Sequence, residues 1–327
     1  TFATLSPSGP MRVSVVIPCH NVAEHLPKAF ASVMAQTHAD LDMVCVDDGS
    51  TDASPQVLAG LVQAHPGRVR VITQANRGAS AARNVGLRAT VGTYVQFLDA
   101  DDTLHPDKLA AQVDLARREG LPDLIVGDFE QVMPDGLLLP ALALYGRPWM
   151  ALIRTRMGTT SANLWKREAL EAAGGWNEEL ASSQDYELMF RLLKAGARVA
   201  WDPHIRTQVL KRAQGSISRT SVEANWDRYI ALRRSMKEHL VRTDEKAYAA
   251  EIEALRQYIF MALRIVAAND LPKALAEYRR SVGPRFRPEV GRAITERYAA
   301  LHNLLGFATT ERLLRLVRRG RNTTATA

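Results

Sequence analysis

Three short apolar runs in the first third of the chain each end in a group of polar residues. The runs, with the residues that follow them, are Val13 to Ile17 before Pro18-Cys19-His20-Asn21, Met43 to Val46 before Asp47-Asp48-Gly49, and Tyr94 to Leu98 before Asp99-Ala100-Asp101-Asp102. Continuous apolar runs are typical of strands that are buried on both faces of a parallel sheet. The carboxyl ends of such strands meet at one edge, where open α/β sheets bind nucleotides. The pattern therefore predicts an α/β sheet with a polar, ligand-binding edge.

Stretches with helical spacing separate the runs. Apolar residues recur at positions i, i+4, i+7 and i+8 from Leu26 to Met34, and at helical intervals from Val57 to Val62. Gly78 to Arg88 favours a third helix that is entered through a glycine turn. Strands that alternate with helices imply βαβ units and a mainly parallel sheet flanked by helices. After Gly127 the alternation stops, and the turn signal Pro134-Asp135-Gly136 favours a hairpin or an extended lid.

Composition limits the class of protein. A chain of 327 residues with 46% hydrophobic residues can bury a full core, which favours one α/β domain and an appendage. Cys19 and Cys45 fall in or beside predicted buried strands, where small core residues are expected and no disulfide framework is implied. No apolar run approaches the roughly 18 residues that span a bilayer, and the N-terminus lacks the apolar segment of a signal peptide. These features favour a cytoplasmic location.

Charge is distributed unevenly along the chain. From His204 onward there are 24 Lys and Arg against 12 Asp and Glu, whereas the first 203 residues carry 18 and 23. The acidic front suits carboxylates that hold a metal, and the basic rear suits a polyanion or anionic lipid, or is simply a solvated face. Thr310 to Arg319 has the pattern of a cationic helix that either lies on anionic lipid or packs its leucines on the preceding helices. Nucleic acid is not expected as a partner, because no binding motif or aromatic platform accompanies the charge.

Six motifs occur in order between Val13 and Ser218. They are Val15-Val16-Ile17-Pro18-Cys19-His20-Asn21, Val46-Asp47-Asp48-Gly49-Ser50-Thr51-Asp52, Asn76-Arg77-Gly78 with Ala82-Arg83-Asn84, Phe97-Leu98-Asp99-Ala100-Asp101-Asp102, Gly174-Gly175-Trp176, and Gln184-Asp185-Tyr186-Glu187. In this order and spacing the motifs resemble those of the family 2 glycosyltransferases. The resemblance implies the GT-A fold, which is a Rossmann-like, mainly parallel sheet flanked by helices. It also implies inverting transfer of a sugar from a nucleotide-diphosphate sugar.

The resemblance and the composition together give the expected domain organisation. The expected parts are a flexible leader at 1–11, a GT-A domain at 12–220 with a nucleotide-binding half at 12–127 and an acceptor half at 128–220, and a basic helical C-terminal region at 221–327. The leader is rich in Ser, Pro and Thr. The last region has an almost wholly helical pattern that is broken near Asn269 and Gly283.

The resemblance implies a nucleotide site at the first three strand ends. Asp48 matches the position that usually bonds the uracil edge, and a carboxylate that accepts from an imide N–H suits uracil or thymine better than guanine. His20 stands where the family often has an aromatic residue near the base, and Arg83 matches an arginine that helps to hold the nucleotide. The residues expected at this site are Pro18, His20, Asn21, Asp48, Arg83, Asp99 and Ala100. From the residues alone, His20 also suits a plain polar loop and Arg83 a surface salt bridge.

Asp99 and Asp101 match the metal motif of the family. Asp101 is expected to coordinate Mn²⁺ or Mg²⁺ directly, and Asp99 to contact the ribose or the metal. A divalent cation that bridges the diphosphate would neutralise the charge that grows on the leaving nucleotide. Asp102 is expected to cap the following turn. No Cys and His cluster with zinc spacing competes with this interpretation.

Asp185 matches the general base of the family. It would accept the proton of the acceptor hydroxyl as that oxygen attacks the anomeric carbon, an effect typically worth about 10² to 10⁴ in rate. Its position alone favours a helix cap, and the preceding motifs favour catalysis. Trp176 lies in the glycine turn before this base. It is expected either to wall the acceptor site and stack on a sugar, or to pack in the core.

Two positions depart from the pattern of the family. Gln184 stands where glutamate is common, and Ala213 stands where many members have a histidine that contacts the metal or the diphosphate. The alanine leaves a third protein contact to the metal open. Lys211 or Arg212 is expected to hold the diphosphate instead, or to be an ordinary solvated charge. Together with Trp176 and Gln184, they are the residues expected around the acceptor and the diphosphate.

The sequence therefore predicts a metal-dependent, inverting glycosyltransferase. Its donor is expected to be a UDP-sugar and its acceptor a hydroxyl of a glycan or glycolipid, in the synthesis of bacterial surface polysaccharide or glycoconjugate. Two alternatives stay open. One is a catalytically silent scaffold that binds nucleotide sugar in a membrane assembly, against which Asp185 argues. The other is a sugar nucleotidyltransferase, which would be expected to have a glycine- and basic-rich phosphate loop after the first strand, where this chain has none. The expected location is cytoplasmic, at the inner face of the membrane if the basic helix binds lipid.

Overall fold

The computed structural model describes residues 11–212, 222–291 and 293–324. The chain divides into two compact units, Thr1–Ile217 and Ser218–Ala327. The first unit is built on a mixed β-sheet flanked by helices, and the described part of the second unit is helical. No described helix combines the length and the apolar character that a membrane crossing requires.

The described part of the first unit contains nine strands and seven helices. The strands are β1 (Val13–Cys19), β2 (Leu41–Asp48), β3 (Val69–Gln74), β4 (Tyr94–Phe97), β5 (Thr103–Leu104), β6 (Leu124–Val132), β7 (Leu138–Ala141), β8 (Leu164–Lys166) and β9 (Val199–Leu210). The helices are α1 (Leu26–Met34), α2 (Ser54–Ala64), α3 (Ala79–Ala89), α4 (Lys108–Arg118), α5 (Pro148–Ile153), α6 (Arg167–Ala172) and α7 (Gln184–Lys194). The strand order is β3-β2-β1-β4-β8-β6-β9-β5, and β7 pairs with β6.

Strand β1 lies inside the parallel half of the sheet. It pairs in parallel with β2 on one side and with β4 on the other, and β2 pairs in parallel with β3. Because β1, β2 and β4 run side by side in one direction, the polar residues that follow them emerge at a single edge. This arrangement confirms the edge predicted from the three apolar runs.

The apolar runs are buried on both faces of the sheet. Val13, Val15 and Ile17 belong to a core cluster on one face, and Val44 and Val46 belong to a separate cluster. All five residues are 0% exposed. Two-sided burial explains why these strands are continuous in hydrophobicity and do not alternate with polar residues.

Met11 and the two cysteines are buried in the core of the first unit. Residues 1–10 of the predicted leader lie outside the described residues, and Met11 packs into the core cluster with Val13. Cys19 and Cys45 are buried free thiols.

The second half of the sheet was only partly predicted. The hairpin expected after Gly127 is confirmed, because β6 pairs antiparallel with β7 across a turn at 133–137. The long strand β9 was not predicted. It carries Pro203, His204 and Arg206 and is only half-buried, so its sequence has no apolar run. Its extended form is fixed by pairing in parallel with β6, a contact made across the chain.

The second unit is a set of helices around one aromatic cluster. The helices are α8 (Val222–Asp244), α9 (Ala249–Asn269), α10 (Leu271–Ser281) and α11 (Glu296–Thr324). The breaks expected near Asn269 and Gly283 are confirmed by the ends of α9 and α10. Phe260 stands at the centre, with the rings of Tyr278, Phe286 and Phe307 between 5.1 and 6.2 Å from it.

Helix α11 contains the cationic pattern predicted between Thr310 and Arg319. Leu314 packs against the aromatic cluster, whereas Leu313 and Leu316 are 40% and 65% exposed. Gly306 interrupts the helix with φ 74°. The leucines are therefore divided between a buried face and an exposed face.

Candidate active site

The ends of β1 and β2 form a hydrogen-bonded corner. This β1–β2 corner consists of Pro18, His20, Asn21, Asp48 and the loop that follows Asp48. Nδ1 of His20 lies 2.9 Å from the carbonyl oxygen of Asp48, and Oδ1 of Asn21 accepts from the N–H of Thr51 at 2.8 Å. Asn21 holds a left-handed backbone conformation with φ 52°. His20 and Asn21 are exposed, so a ligand can reach them at this edge.

The carboxylate of Asp48 accepts three hydrogen bonds. Oδ1 accepts from the side-chain amide of Gln74 at 2.7 Å and from the N–H of Arg77 at 2.9 Å. Oδ2 accepts from the N–H of Gly78 at 2.8 Å, so the carboxylate ties β2 to the start of α3. Gly49 follows with φ +67°, and a Cβ there would lie 2.8 Å from a backbone nitrogen. Glycine is required at that position by both its conformation and its close contact.

Arg83 connects two parts of the site that are distant in sequence. Nη2 pairs with Oδ1 of Asp99 at 2.6 Å, and Nη1 donates to Oε1 of Gln184 at 3.0 Å. The guanidinium also lies 4.6 Å from the centroid of the Trp176 ring. The side chain of Arg83 is 7% exposed, so these contacts hold it in a buried position. Because Asp185 follows Gln184, the arginine brings the predicted base to the predicted metal motif.

Trp176 lies in the core beneath Arg83. The residue is 2% exposed, and its ring meets Phe97 edge-on with centroids 5.1 Å apart. The backbone N–H of Trp176 donates to Oδ1 of Asn84 at 2.8 Å, and its backbone carbonyl accepts from Nδ2 of the same asparagine at 2.9 Å. Gly175 precedes it with φ +71°, and a Cβ there would lie 2.6 Å from Oδ1 of Asn84. Of the two roles considered for Trp176, this placement favours core packing, because the ring faces a guanidinium and leaves no open face for a sugar.

The carboxylate of Asp101 forms an ion pair, although its burial disfavours the charged form. Its Oδ2 lies 2.8 Å from Nε of Arg212. Burial is the main cause that raises the pKa of Asp101, the neighbouring Asp99 adds to it, and Arg212 opposes it. The ionised form is therefore held partly by the arginine.

Asp102 has a role that its sequence position did not predict. It is 4% exposed, and its carboxylate accepts from Oγ of Ser161 at 2.6 Å and from the N–H of Leu210 at 3.1 Å. Burial raises its pKa well above the usual range, and Asp99 and Asp101 add to the effect. The carboxylate thus joins β9 to a loop before β8 and does not cap the following turn.

Ser161 and Asn84 are supporting residues that sequence reasoning did not assign. Oγ of Ser161 accepts from the N–H of Asp99 at 3.1 Å while it donates to Asp102. Asn84 holds the turn that carries Trp176. Asn84 stands next to Arg83 in a motif, which is a usable signal, whereas the loop around Ser161 carries no pattern that marks it.

Asp185 lies partly buried in the first turn of α7. Burial is the main cause that raises its pKa, and Asp99 adds to it, whereas the N–H of Tyr186, which donates to Oδ1 at 2.9 Å, and Arg83 oppose it. The residue before the helix, Ser183, has φ 60°, which is uncommon for a residue other than glycine. A raised pKa makes the carboxylate a stronger base than an ordinary aspartate. Asp99, Asp101 and Asp185 are called the acidic group below.

A cavity of about 160 Å³ opens beside Asp101. Its walls include Glu24, His25, Lys28 of α1 and Gln208 of β9. Two carboxylates, a lysine and a histidine therefore line a space open to a small polar ligand.

The acidic pair Asp99 and Asp101 fits a hard divalent cation. Within residues 11–212, 222–291 and 293–324, no set of three or more His, Cys, Asp or Glu side chains is placed to hold a metal ion. An ion at this pair would take its remaining ligands from phosphate oxygens and water, as Mg²⁺ commonly does. The raised pKa of Asp101 shows that its negative charge is held at a cost, which a cation would relieve.

The remaining predicted residues lie at the margins of the site. Ala100 is buried at 4% exposure between the two acidic residues. Lys211 is exposed, and its N–H donates to the carbonyl of Val132 at 2.9 Å. Ala213, at the position of the usual histidine, lies outside the described residues.

Comparison with known proteins agrees with this architecture. Residues 14–150 match the model of glycosyl transferase family 2. An uncharacterized glycosyltransferase of Nostoc sp. is 46% identical over 105 residues, which are 32% of this chain and 33% of that protein. The succinoglycan biosynthesis protein ExoO of Rhizobium meliloti is 31% identical over 63% of this chain and 62% of its own length. The chain therefore spans less than two thirds of either relative.

The fold is also found among solved structures. The crystal structure of S. aureus TarS 1–349 in complex with UDP-GlcNAc aligns with a TM-score of 0.66 at 17% identity. The alignment covers 95% of this chain and 92% of that one. The likeness establishes the GT-A architecture that the six motifs imply.

Proposed function

This chain belongs to glycosyltransferase family 2, and from that premise we propose that it transfers a sugar from a nucleotide-diphosphate sugar to a hydroxyl of a glycan or glycolipid, with inversion at the anomeric carbon. The observation that carries the proposal is the double contact of Arg83, which joins Asp99 after β4 to Gln184 at the start of α7. It supports a single site in which Asp185 acts as the base and this edge binds phosphate. The link from the first turn of α7 through Gln184 and Arg83 to Asp99 favours catalysis over a scaffold that only binds nucleotide.

Asp185 is proposed as the general base. Its raised pKa strengthens the attraction of the ionised carboxylate for the proton of the acceptor hydroxyl. As that oxygen attacks the anomeric carbon, the proton passes to a carboxylate oxygen of Asp185 and the nucleotide diphosphate leaves on the opposite side. The attack is a single in-line displacement, so the configuration inverts.

The β1–β2 corner is proposed to hold the nucleoside, with UDP as the nucleotide. A carboxylate offers about four acceptor positions, and three of those on Asp48 are filled by protein groups. One more N–H, such as the imide of uracil, completes the set. His20 and Asn21 are exposed beside it and offer an imidazole face and an amide to the base and ribose.

Asp101 and Asp99 are proposed to hold Mn²⁺ or Mg²⁺ against the diphosphate. When bound, the cation supplies Lewis-acid stabilisation of the leaving diphosphate. Arg83 keeps Asp99 in place, and Lys28 and Arg212 contribute positive charge around Asp101.

A peripheral position at the inner face of a bacterial membrane completes the proposal. Arg312 and Arg315 line one cavity with Leu316, and Leu313 is exposed beside them. Arginines among exposed leucines suit an interface with anionic lipid. A glycan or lipid-carried acceptor, in polysaccharide or glycoconjugate synthesis, would be presented at that surface.

The test combines donor binding with a base variant. A panel of nucleotide sugars with Mn²⁺ is screened by thermal stabilisation, and the binding donor is then used in hydrolysis and transfer assays. Asp185→Asn is expected to lower turnover by about 10² to 10⁴ while UDP binding is retained. Asp114→Asn, which changes a carboxylate exposed on α4, is the matched control and should turn over normally. Equal turnover in Asp185→Asn would refute the base, and no stabilisation by any nucleotide sugar would refute the function.

A further inference from the structure

The two acidic residues of the metal motif are paired with arginines of different exposure. Asp99 pairs with Arg83 at 2.6 Å, and Asp101 pairs with Arg212 at 2.8 Å. Arg83 is 7% exposed, and Arg212 is 28% exposed. The difference in burial indicates that only one of the two pairs can be opened at low cost.

Arg83 is held in place by three contacts. It pairs with Asp99, donates to Gln184, and lies over the ring of Trp176. Withdrawing a buried guanidinium from such contacts would leave charged and polar groups unsatisfied, which costs several kcal/mol. Oδ1 of Asp99 is therefore occupied permanently.

The backbone just before Arg212 is fixed at the end of β9. The N–H of Lys211 donates to the carbonyl of Val132, and the N–H of Leu210 donates to Asp102, so the end of β9 is fixed. Within the part of the chain that the structure describes, Asp101 is the charged partner of the Arg212 side chain. The guanidinium can leave Asp101 by side-chain rotation alone.

A cation and Arg212 compete for the same oxygen. Nε of Arg212 lies 2.8 Å from Oδ2 of Asp101, which is the space that an ion bound to that oxygen would need. We propose that Arg212 is the counterion of Asp101 in the free protein, that a divalent cation displaces it, and that the released guanidinium then binds the diphosphate of the donor. This inference rests on the proposed function. It gives Arg212 opposite effects on the metal alone and on the nucleotide.

The displaced arginine has a suitable place to go. The cavity beside Asp101 is lined by Lys28, His25 and Glu24 and is large enough, at about 160 Å³, for a phosphate group. An arginine fork can grip phosphate through two parallel N–H bonds. The same side chain thus neutralises the carboxylate before the metal arrives and the phosphate afterwards.

The test measures the binding of Mn²⁺ without nucleotide, by the spin-resonance signal of free Mn²⁺, and then the binding of UDP at saturating Mn²⁺, by calorimetry. An exposed or half-exposed ion pair is worth up to about 1 kcal/mol, or about fivefold in affinity. Arg212→Gln is therefore expected to bind Mn²⁺ alone about fivefold more tightly than the wild type. It is expected to bind UDP with Mn²⁺ at least fivefold more weakly.

Lys211→Gln is the matched control, because it removes the same charge one residue away and has no contact with Asp101. It should leave the affinity for Mn²⁺ alone unchanged. Asp101→Asn should abolish the tighter binding when combined with Arg212→Gln. Unchanged or weaker Mn²⁺ binding in Arg212→Gln, or an equal gain in Lys211→Gln, would overturn the inference. If the wild type binds UDP but binds Mn²⁺ neither alone nor with UDP, the proposed metal role fails as well.

Discussion

The β1–β2 corner and the acidic group lie at the same edge of one sheet, yet their carboxylates are satisfied in different ways. Asp48 accepts three hydrogen bonds from protein groups, two of them from backbone N–H groups. Asp101 and Asp185 are surrounded by fewer donors, and burial raises the pKa of both. The carboxylate of the corner is already held by protein donors before a ligand arrives, with one acceptor position left open, whereas the acidic group carries charge that a ligand or a proton would relieve. Asp48 therefore helps to fix the shape of the site, whereas Asp101 and Asp185 are the carboxylates that a cation or a proton can bind.

The comparison predicts a large loss of stability when the corner is changed. Asp48→Ala leaves the amide of Gln74 and the N–H groups of Arg77 and Gly78 without their acceptor. Each of these partly buried hydrogen bonds contributes about 0.5 to 1.5 kcal/mol, so we expect the free energy of unfolding to fall by about 2 to 4 kcal/mol. Urea denaturation followed by circular dichroism measures it.

A neighbouring residue provides the control. Asp47 is also 3% exposed, but Oδ1 accepts only from the N–H of Ser50 among the bonds described, at 3.1 Å. Asp47→Ala should therefore cost about a third as much as Asp48→Ala. Equal losses in the two variants would mean that burial, and not the number of donors, sets the difference.

A change in the acidic group is expected to cost no stability, in contrast to a change in the corner. Asp101→Asn keeps the shape of the side chain and removes a charge whose pKa is raised by burial. The cost of that shift is present where Asp101 is ionised in both the folded and the unfolded chain, and it is lost as pH falls through the pKa of the folded state towards that of the unfolded state. The variant should be unchanged or up to about 1 kcal/mol more stable at pH 7, while it loses affinity for Mn²⁺ with UDP.

Stability and ligand binding of Asp101→Asn must both be measured to distinguish the acidic group from the corner. Unfolding by urea at pH 7 and at pH 4 measures stability, and calorimetry measures the binding of UDP with Mn²⁺. A stability loss as large as that of Asp48→Ala would place Asp101 with the corner, as a structural carboxylate, and would end the distinction.

The sequence predicted which chain segments meet at this edge of the sheet better than it predicted the contacts that their side chains make. Parallel apolar runs fixed the neighbours of β1, and six motifs brought Asp185 into the same hypothesis as Asp99. Nothing local indicated that Trp176 would be buried under Arg83, or that Asp102 would bond Ser161 and Leu210. Those contacts join residues about 60 to 110 positions apart, and the bond to Leu210 also depends on β9, a half-buried strand that its sequence does not mark.

A buried lysine behind the acidic group shows that a shifted pKa alone does not mark a site. Lys108 is 0% exposed, and burial lowers its pKa to about 7, against a partial opposing effect of Asp202. Its ammonium donates to Gln96 and, at 2.9 Å, to Gln112, and Gln96 in turn donates to the carbonyl of Ser161 at 2.9 Å. The lysine therefore supports the loop that holds Asp99 from the core side and is out of reach of a ligand.

This lysine gives a predicted effect of another kind, a change in the slope of stability against pH. Between pH 7 and about 10.5 the unfolded chain holds the proton and the folded chain releases it, so stability should rise with pH across that window. Lys108→Met removes the rise, whereas Lys194→Met, at an exposed lysine on α7, should keep it. The absolute stability of Lys108→Met depends also on two glutamine oxygens that lose a donor, so urea denaturation at pH 7, 8 and 9 is compared by slope. Parallel slopes in the wild type and Lys108→Met would show that Lys108 stays charged in the fold, and the core side of the acidic group would then hold a cation.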